Sequence, residues 1–250
     1  MQLRLPKPLH GWRAFAGEVG IIVIGVLLAL GAQQLVEAIH DRAEVRDAEG
    51  AMIAELRDDN LPQAYARVAI YNCYANQLDA IEAAVASRDR AKVLKLAQSY
   101  RPVARTYDDL AWQAALASQV LVHSGSERIL GWSTAYRLVP RLDNRSDAEQ
   151  DELGDLYASI GGTGPLSADQ QDRLFRIVST LRRINRGMAG SSLVFISYLT
   201  GQKLKLSRAQ QDTILADARK AYGSCVIEPA DRFNSTSQIY MPENILPRKK

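Results

Sequence analysis

Two cysteines, three histidines and a scatter of serines and carboxylates are the residues in this 250-residue chain whose types permit chemistry. The cysteines are Cys73 and Cys225. In an exported chain they are free to oxidise; in the cytosol such a pair stays reduced. On a helical wheel of 3.6 residues per turn, Cys73 lies opposite a face made by Val68, Tyr71, Ala75 and Leu78. It shares its own side with Ala66, Ile70, Gln77, Ala80 and Ala84, mostly small side chains that let a second segment approach. Cys225 follows directly on the last helical stretch, so a Cys73–Cys225 disulfide is expected, the alternative being two buried free thiols. A bridge closing so long a loop stabilises by roughly 4–5 kcal/mol in the chain-entropy account.

The remaining chemistry-bearing residues do not assemble into a motif. His10, His40 and His123 have no second His or Cys at metal-ligand spacing, so no metal and no cofactor are expected. His123 adjoins Ser124, but adjacent residues rarely face each other, and Ser124 is also placed to cap a helix. Ser191 and Ser192 follow Gly190 without the second glycine of a nucleophile elbow. Gly161-Gly-Thr-Gly164-Pro165 lacks the strand before it and the Lys-Ser/Thr after it that a phosphate loop needs, and is expected to be a linker. Asp108 and Asp109 sit where a helix N-terminus favours acids. Trp112, Trp132, Tyr136 and Phe195 are expected in the core. No reaction is specified, and a non-enzymatic protein is expected.

The elements that position these residues are helical. Alanine, leucine, glutamine and arginine recur, and such side chains lose little rotamer freedom in a helix. Val68, Tyr71, Ala75, Leu78, Ile81 and Val85 repeat every three or four residues, as do Leu174, Val178, Leu181, Ile184 and Met188. Four Ser-x-x-Glu/Gln pairs have the capping-box form: Ser124/Glu127, Ser146/Glu149, Ser167/Gln170 and Ser207/Gln210. Helices are expected at about 13–59, 62–87, 89–99, 106–122, 125–142, 147–160, 168–200 and 208–222, with Gly201 ending the seventh. The fold class is all-α: an N-terminal transmembrane helix continuing into an irregular multi-helix soluble bundle.

Topology follows from the stretch Val19–Ala32, fourteen residues that are all apolar or glycine. Their rise of about 21 Å falls short of the roughly 30 Å hydrocarbon layer, but the flanks extend the span to about Ala14–Val36, with Trp12 as an interfacial aromatic. Residues 1–17 carry Arg4, Lys7 and Arg13 and no acid, whereas residues 36–60 carry eight acids against three arginines. The positive-inside rule then places the N-terminus in the cytoplasm and the body of the chain in a bacterial periplasm. A cleaved signal peptide, with Ala29-Leu30-Gly31 as its site, is a competing reading; against it stands Glu18 within the flank. A buried helix of a soluble protein is the third, and the asymmetric charge flanks count against it.

The stretch Trp12-Arg-Ala-Phe15-Ala-Gly17-Glu18-Val-Gly-Ile-Ile-Val-Ile-Gly25-Val-Leu-Leu-Ala29-Leu30 resembles a family of uncharacterised bacterial single-pass membrane proteins. In that family an aromatic-rich Gly-Glu approach leads into an Ile/Val/Gly/Leu/Ala-Leu helix. The resemblance covers about 25 residues; it implies the anchor and a helical outer domain, and no activity. Gly25 and Ala29 form a small-xxx-small pair suited to close helix packing, and Glu18 is an acid one turn inside the boundary, placed for contact with a partner's span. The alternative for both is an ordinary spanning helix with its acid at headgroup water.

The expected organisation is a cytoplasmic segment at 1–12, the transmembrane helix at 13–36, a periplasmic helical domain at 37–226 and an extended tail at 227–250. The net charge of +3 and the absence of aromatics interleaved with basic groups exclude a nucleic-acid partner. The partners expected are the lipid bilayer, a membrane or periplasmic protein and a second copy of the chain. The leading expectation is a protein-interaction or envelope-assembly module of the inner membrane; the alternative is a periplasmic small-molecule-binding or sensory domain acting through a membrane partner.

Overall fold

Nothing between Gln33 and Asn60 interrupts a helix except Gly50, and helix α1 accordingly runs from Trp12 to Ala54. Its 43 residues make a rod about 64 Å long. The computed structural model describes residues 12–100, 102 and 105–229, the side chains of Arg13 and Ala14 excepted. Among these residues the chain forms helices joined by turns and short loops, with no strand. His10 and residues 230–250 of the expected tail lie outside the description.

A single π turn, Glu55–Asn60, joins α1 to α2, Leu61–Ala69. Pro62 at the start of α2 has no N–H to donate, and its ring crowds the carbonyl four residues back. The wider π turn directly before it relieves that crowding and keeps the rod continuous. The helix expected over 62–87 is broken at Ile70, whose backbone (φ −92°, ψ 2°) leaves the α region before α3 begins at Tyr71 and runs to Ala86. The break frees the carbonyl of Ala69, which accepts from the amide of Ile227 at 2.9 Å. A hydrogen bond from a segment 158 positions away thus stabilises the interruption.

Helix α4, Arg90–Ser99, is capped by Asp89 on the amide of Lys92. Helix α5 is only Leu110–Ala117, followed by a 3-10 turn at Val120–His123, so the helix expected over 106–122 is cut short. Helix α6 spans Ser126–Tyr136 and α7 spans Val139–Ile160. The boundary expected at 142–147 is absent: Ser146 and Glu149 lie inside α7, both buried. Ser124 is not a cap either, because α6 starts one residue later with Gly125 at its N-cap. The other two boxes form with both bonds in place, Ser167/Gln170 opening α8 (Ala168–Gly201) and Ser207/Gln210 opening α9 (Arg208–Tyr222). Replacing Ser167 with alanine is expected to cost about 1 kcal/mol, measurable as a lower denaturation midpoint. Gly201 is the last helical residue, and the left-handed turn that reverses the chain falls on Lys203 (φ 65°).

Helices α7 and α8 pack along one another, while α2 and α3 cover α8 from the other direction. Two apolar clusters result. One joins the end of α1 (Val45, Met52) with Leu56, Tyr65, Tyr136, Leu142 and Phe195. The other joins α3 and α4 to the facing halves of α7 and α8 through Leu78, Ile81, Val93, Leu156 and Leu181. The linker Gly161–Pro165 folds around Arg90, whose guanidinium donates to the carbonyls of Ile160, Gly161 and Gly164 and to the Gln170 side chain. Carbonyl oxygens, rather than amides, converge there, and the arginine fills the turn.

Candidate functional site

The sites expected from sequence fall in two places. Cys73 in α3 and Cys225 in the 3-10 turn after α9 meet at an S–S distance of 2.08 Å, with Cα atoms 5.0 Å apart. Cys73 is buried, as are Tyr74, Leu78 and Ile81 of the same helix. The break at Ile70 separates Ala66 and Val68 from this helix, while Tyr71, Ala75 and Leu78 keep their expected angular relation to Cys73. Glu18, Gly25 and Ala29 share one side of α1, seven and eleven residues apart at 3.6 per turn. Glu18 and Ala29 are exposed, and no atom of the described residues lies within 4 Å of a Cβ built on Gly25.

That exposure is a property of the whole N-terminal half of α1. Its large apolar side chains from Val19 to Ile39 are between 42% and 74% exposed on every side of the helix. Phe15 packs against Trp12 at the end, ring centroids 6.1 Å apart. A soluble core helix buries such residues, whereas here the most apolar window is 0% buried. The helix is long and apolar enough to cross a membrane, and sits as a single-pass anchor would.

The densest polar site was not visible in the sequence. Arg67 of α2 is 1% exposed and donates to Glu149 Oε1 of α7 at 2.6 Å and to Asn185 Oδ1 of α8 at 2.9 Å. Its guanidinium also lies 4.7 Å from the ring centroid of Tyr74. Tyr74 packs edge-on against Tyr100 and Tyr222, and its hydroxyl is 3.1 Å from that of Tyr222. Asn185 donates onward to the carbonyl of Tyr71 at 3.2 Å. The cluster sits on the seam between the two apolar cores and ties α2, α3, α7 and α8 together.

Electrostatics there follow burial. The Glu149 carboxyl is pushed above the usual carboxylate range by desolvation, against the pull of Arg67 and Arg105. Arg105 is held below its ordinary value, again chiefly by burial. The phenols of Tyr100, Tyr107 and Tyr136 are all raised by burial; the charge of Glu149 adds to the first, and Arg105 opposes the second. A phenol raised in the folded state favours folding fully below its ordinary value near 10 and loses that contribution as pH climbs through the higher folded value. Among the chain's ten tyrosines these three are therefore expected to ionise only as the domain unfolds in alkali, read as a late, cooperative rise in phenolate absorbance. With Arg67, Glu149, Asn185 and Tyr100 at 0–2% exposure, the cluster is closed to solvent.

The remaining candidates resolve separately. His40 pairs with Glu44 at 3.1 Å and His123 with Asp41 at 3.2 Å, both on the surface, and no group of three metal-ligating side chains occurs among the described residues. Trp112 stacks on Tyr136 at 5.5 Å, Phe195 is fully buried, and Trp132 is partly buried against the first core. An open cleft of about 430 Å³ lies between α1, α6 and the end of α8, lined by Glu49, Arg128, Trp132, Tyr198 and Leu199. Comparison with protein-family models, with curated proteins and with solved structures gives no match to this chain.

Proposed function

We propose that the chain is a non-enzymatic membrane-anchored protein of the bacterial inner membrane. Its helical domain stands in the periplasm, where it binds another protein or takes part in envelope assembly. The observation that carries this is α1 itself: one unbroken rod whose outer half offers apolar side chains on every side and whose inner half enters the domain core at Val45 and Met52. Such a rod fixes the height and direction of the domain above the bilayer, a property that matters for contact with fixed partners. The charge asymmetry around the span supports the orientation, and the resemblance of residues 12–30 to uncharacterised single-pass bacterial proteins supports the class. The side of α1 bearing Glu18, Gly25 and Ala29 is where a partner's span, or that of a second copy, would pack.

A second reading has its own observation. The cleft beside Trp132 and Tyr198 falls within the 300–1,000 Å³ range of small-molecule sites, and combines aromatic walls with Glu49 and Arg128. A periplasmic ligand-binding or sensory domain would use it. Gentle solubilisation with an affinity tag, followed by mass spectrometry of both proteins and small molecules, separates the two. Stoichiometric envelope proteins are expected; a protein that emerges alone with a small molecule in the cleft would favour the second reading.

A further inference from the structure

Helix α5 runs back along α1 toward the anchor: the amide of Ala111 bonds Glu55 at 2.9 Å, whereas His123, beyond the end of α5, meets Asp41 at 3.2 Å. Helix α6 then climbs away, with Arg128 at Glu49 (3.4 Å) and the Tyr136 hydroxyl on the Met52 carbonyl (3.2 Å). The turn between them is thus the part of the hairpin nearest the span, at the level of Asp41, about 8 Å beyond Val36 at 1.5 Å per residue. Val122 at this tip is 75% exposed.

Between the tip and α1 lies a second cleft of about 410 Å³, lined by Arg42, Arg46, Arg128, His123, Ser124 and Glu49. Arg42 and Arg46 project from the same side of α1, while Glu37, Glu44 and Asp47 fall on the far side, about 140–220° around the helix from Arg42 at 3.6 residues per turn. Neither arginine has a carboxylate partner among the described residues. The acids that do approach are engaged already, Glu49 by Arg128 and Asp41 by His123. The hydroxyl oxygen of Ser124 is buried without a hydrogen-bond partner, and α6 opens beside it with no side-chain cap on its first amides. Arginines, an unpaired hydroxyl and the positive end of an 11-residue helix are together a donor set for a phosphate.

We infer that this cleft binds the phosphate of an anionic phospholipid headgroup in the outer face of the anchoring membrane. Arg42 and Arg46 lie about 9 and 15 Å beyond Val36. The headgroup layer is about 5–7 Å deep, and an arginine reaches several ångströms down toward it. Val122 at the tip, at about 8 Å, lies just beyond the same layer. The lipid as source rests on the anchored reading above; a phosphate from solution would use the same donors.

The test uses the full-length protein in neutral detergent, offered equal amounts of phosphatidylglycerol and phosphatidylcholine, with retained lipid read by native mass spectrometry. Inorganic phosphate is titrated in parallel against the thermal midpoint. The wild type is expected to retain phosphatidylglycerol selectively. The Arg42→Gln/Arg46→Gln variant should lose that retention roughly 30-fold, about fivefold per surface arginine, while Arg208→Gln, outside the cleft, changes nothing. Because both arginines are exposed, helical content and the disulfide should be unchanged in the double variant. Selective retention that survives the double substitution places the lipid on the span and overturns the cleft, leaving the anchor intact. A phosphate response lost in the variant, without lipid retention, keeps the anion site and overturns its lipid source. No selectivity and no phosphate response overturns the site altogether.

Discussion

Replacing Glu149 with alanine is expected to destabilise the domain by about 3–5 kcal/mol, lowering the thermal midpoint by roughly 6–20 °C. The cost arises from what remains. Arg67 would keep its charge at 1% exposure with only Asn185 and the face of Tyr74 for partners, and its Nε already lacks one. The pair as a whole contributes differently. Glu149 titrates above the usual carboxylate range because it is buried, so its contribution favours folding below that range and declines as pH rises through the folded value. Breaking a buried pair is costly because of the charge left behind, even where the pair itself is no net source of stability. Substituting both partners, Arg67→Met with Glu149→Leu, is accordingly expected to be neutral or stabilising. A thermal scan of the single and double variants checks this; a double variant as unstable as Glu149→Ala would show that the pair itself supplies the stability.

Cys225→Ser is expected to be the other large loss, about 2–5 kcal/mol, with the chain-entropy limit near 5 for a separation of 152 residues. The bridge fastens the segment after α9 to α3, and the same segment satisfies the carbonyl that the break at Ile70 leaves free. Loss of the bond should therefore loosen both ends at once, visible as faster amide exchange at Ile227 and around Ile70. Cys73→Ser and the double Cys73→Ser/Cys225→Ser variant should match the single one, since one covalent link is lost in each. With only two cysteines in the chain, alkylation under unfolding, non-reducing conditions is a direct count. No modified thiol is expected; two would contradict the bridge.

Both predictions rest on features that differ in how far the sequence reveals them. Helices were legible where local chemistry decides: the Leu174-Val178-Leu181 stripe and the boxes at Ser167 and Ser207 form as their spacing implies. Ser124/Glu127 and Ser146/Glu149 carry the same pattern and form no box: α6 begins at Ser126 with Gly125 as its N-cap, and the second pair is taken by tertiary partners. Ser146 instead accepts from the amide of Arg105 at 2.9 Å, and Glu149 is taken by Arg67. The break at Ile70 depends on an amide from the far end of the chain, and no local propensity signals it. The polar centre was hidden for the same reason: Arg67 finds its partners 82 and 118 positions away, and nothing in its neighbours in sequence marks it off from the chain's exposed arginines. Arg42 and Arg46 share a side of α1, but the segment that closes the cleft, a 3-10 turn at Val120–His123, falls in what the sequence suggests is the last turn of a helix over 106–122.

The central claim is that α1 stays in the membrane and holds the helical domain on its outer side. Fusing alkaline phosphatase after Val226 and assaying washed membranes tests it most directly, because the enzyme folds only where disulfides form. Phosphatase activity that stays with the membrane pellet is the predicted result. An inactive fusion, or activity released entirely into the soluble periplasmic fraction, would contradict it.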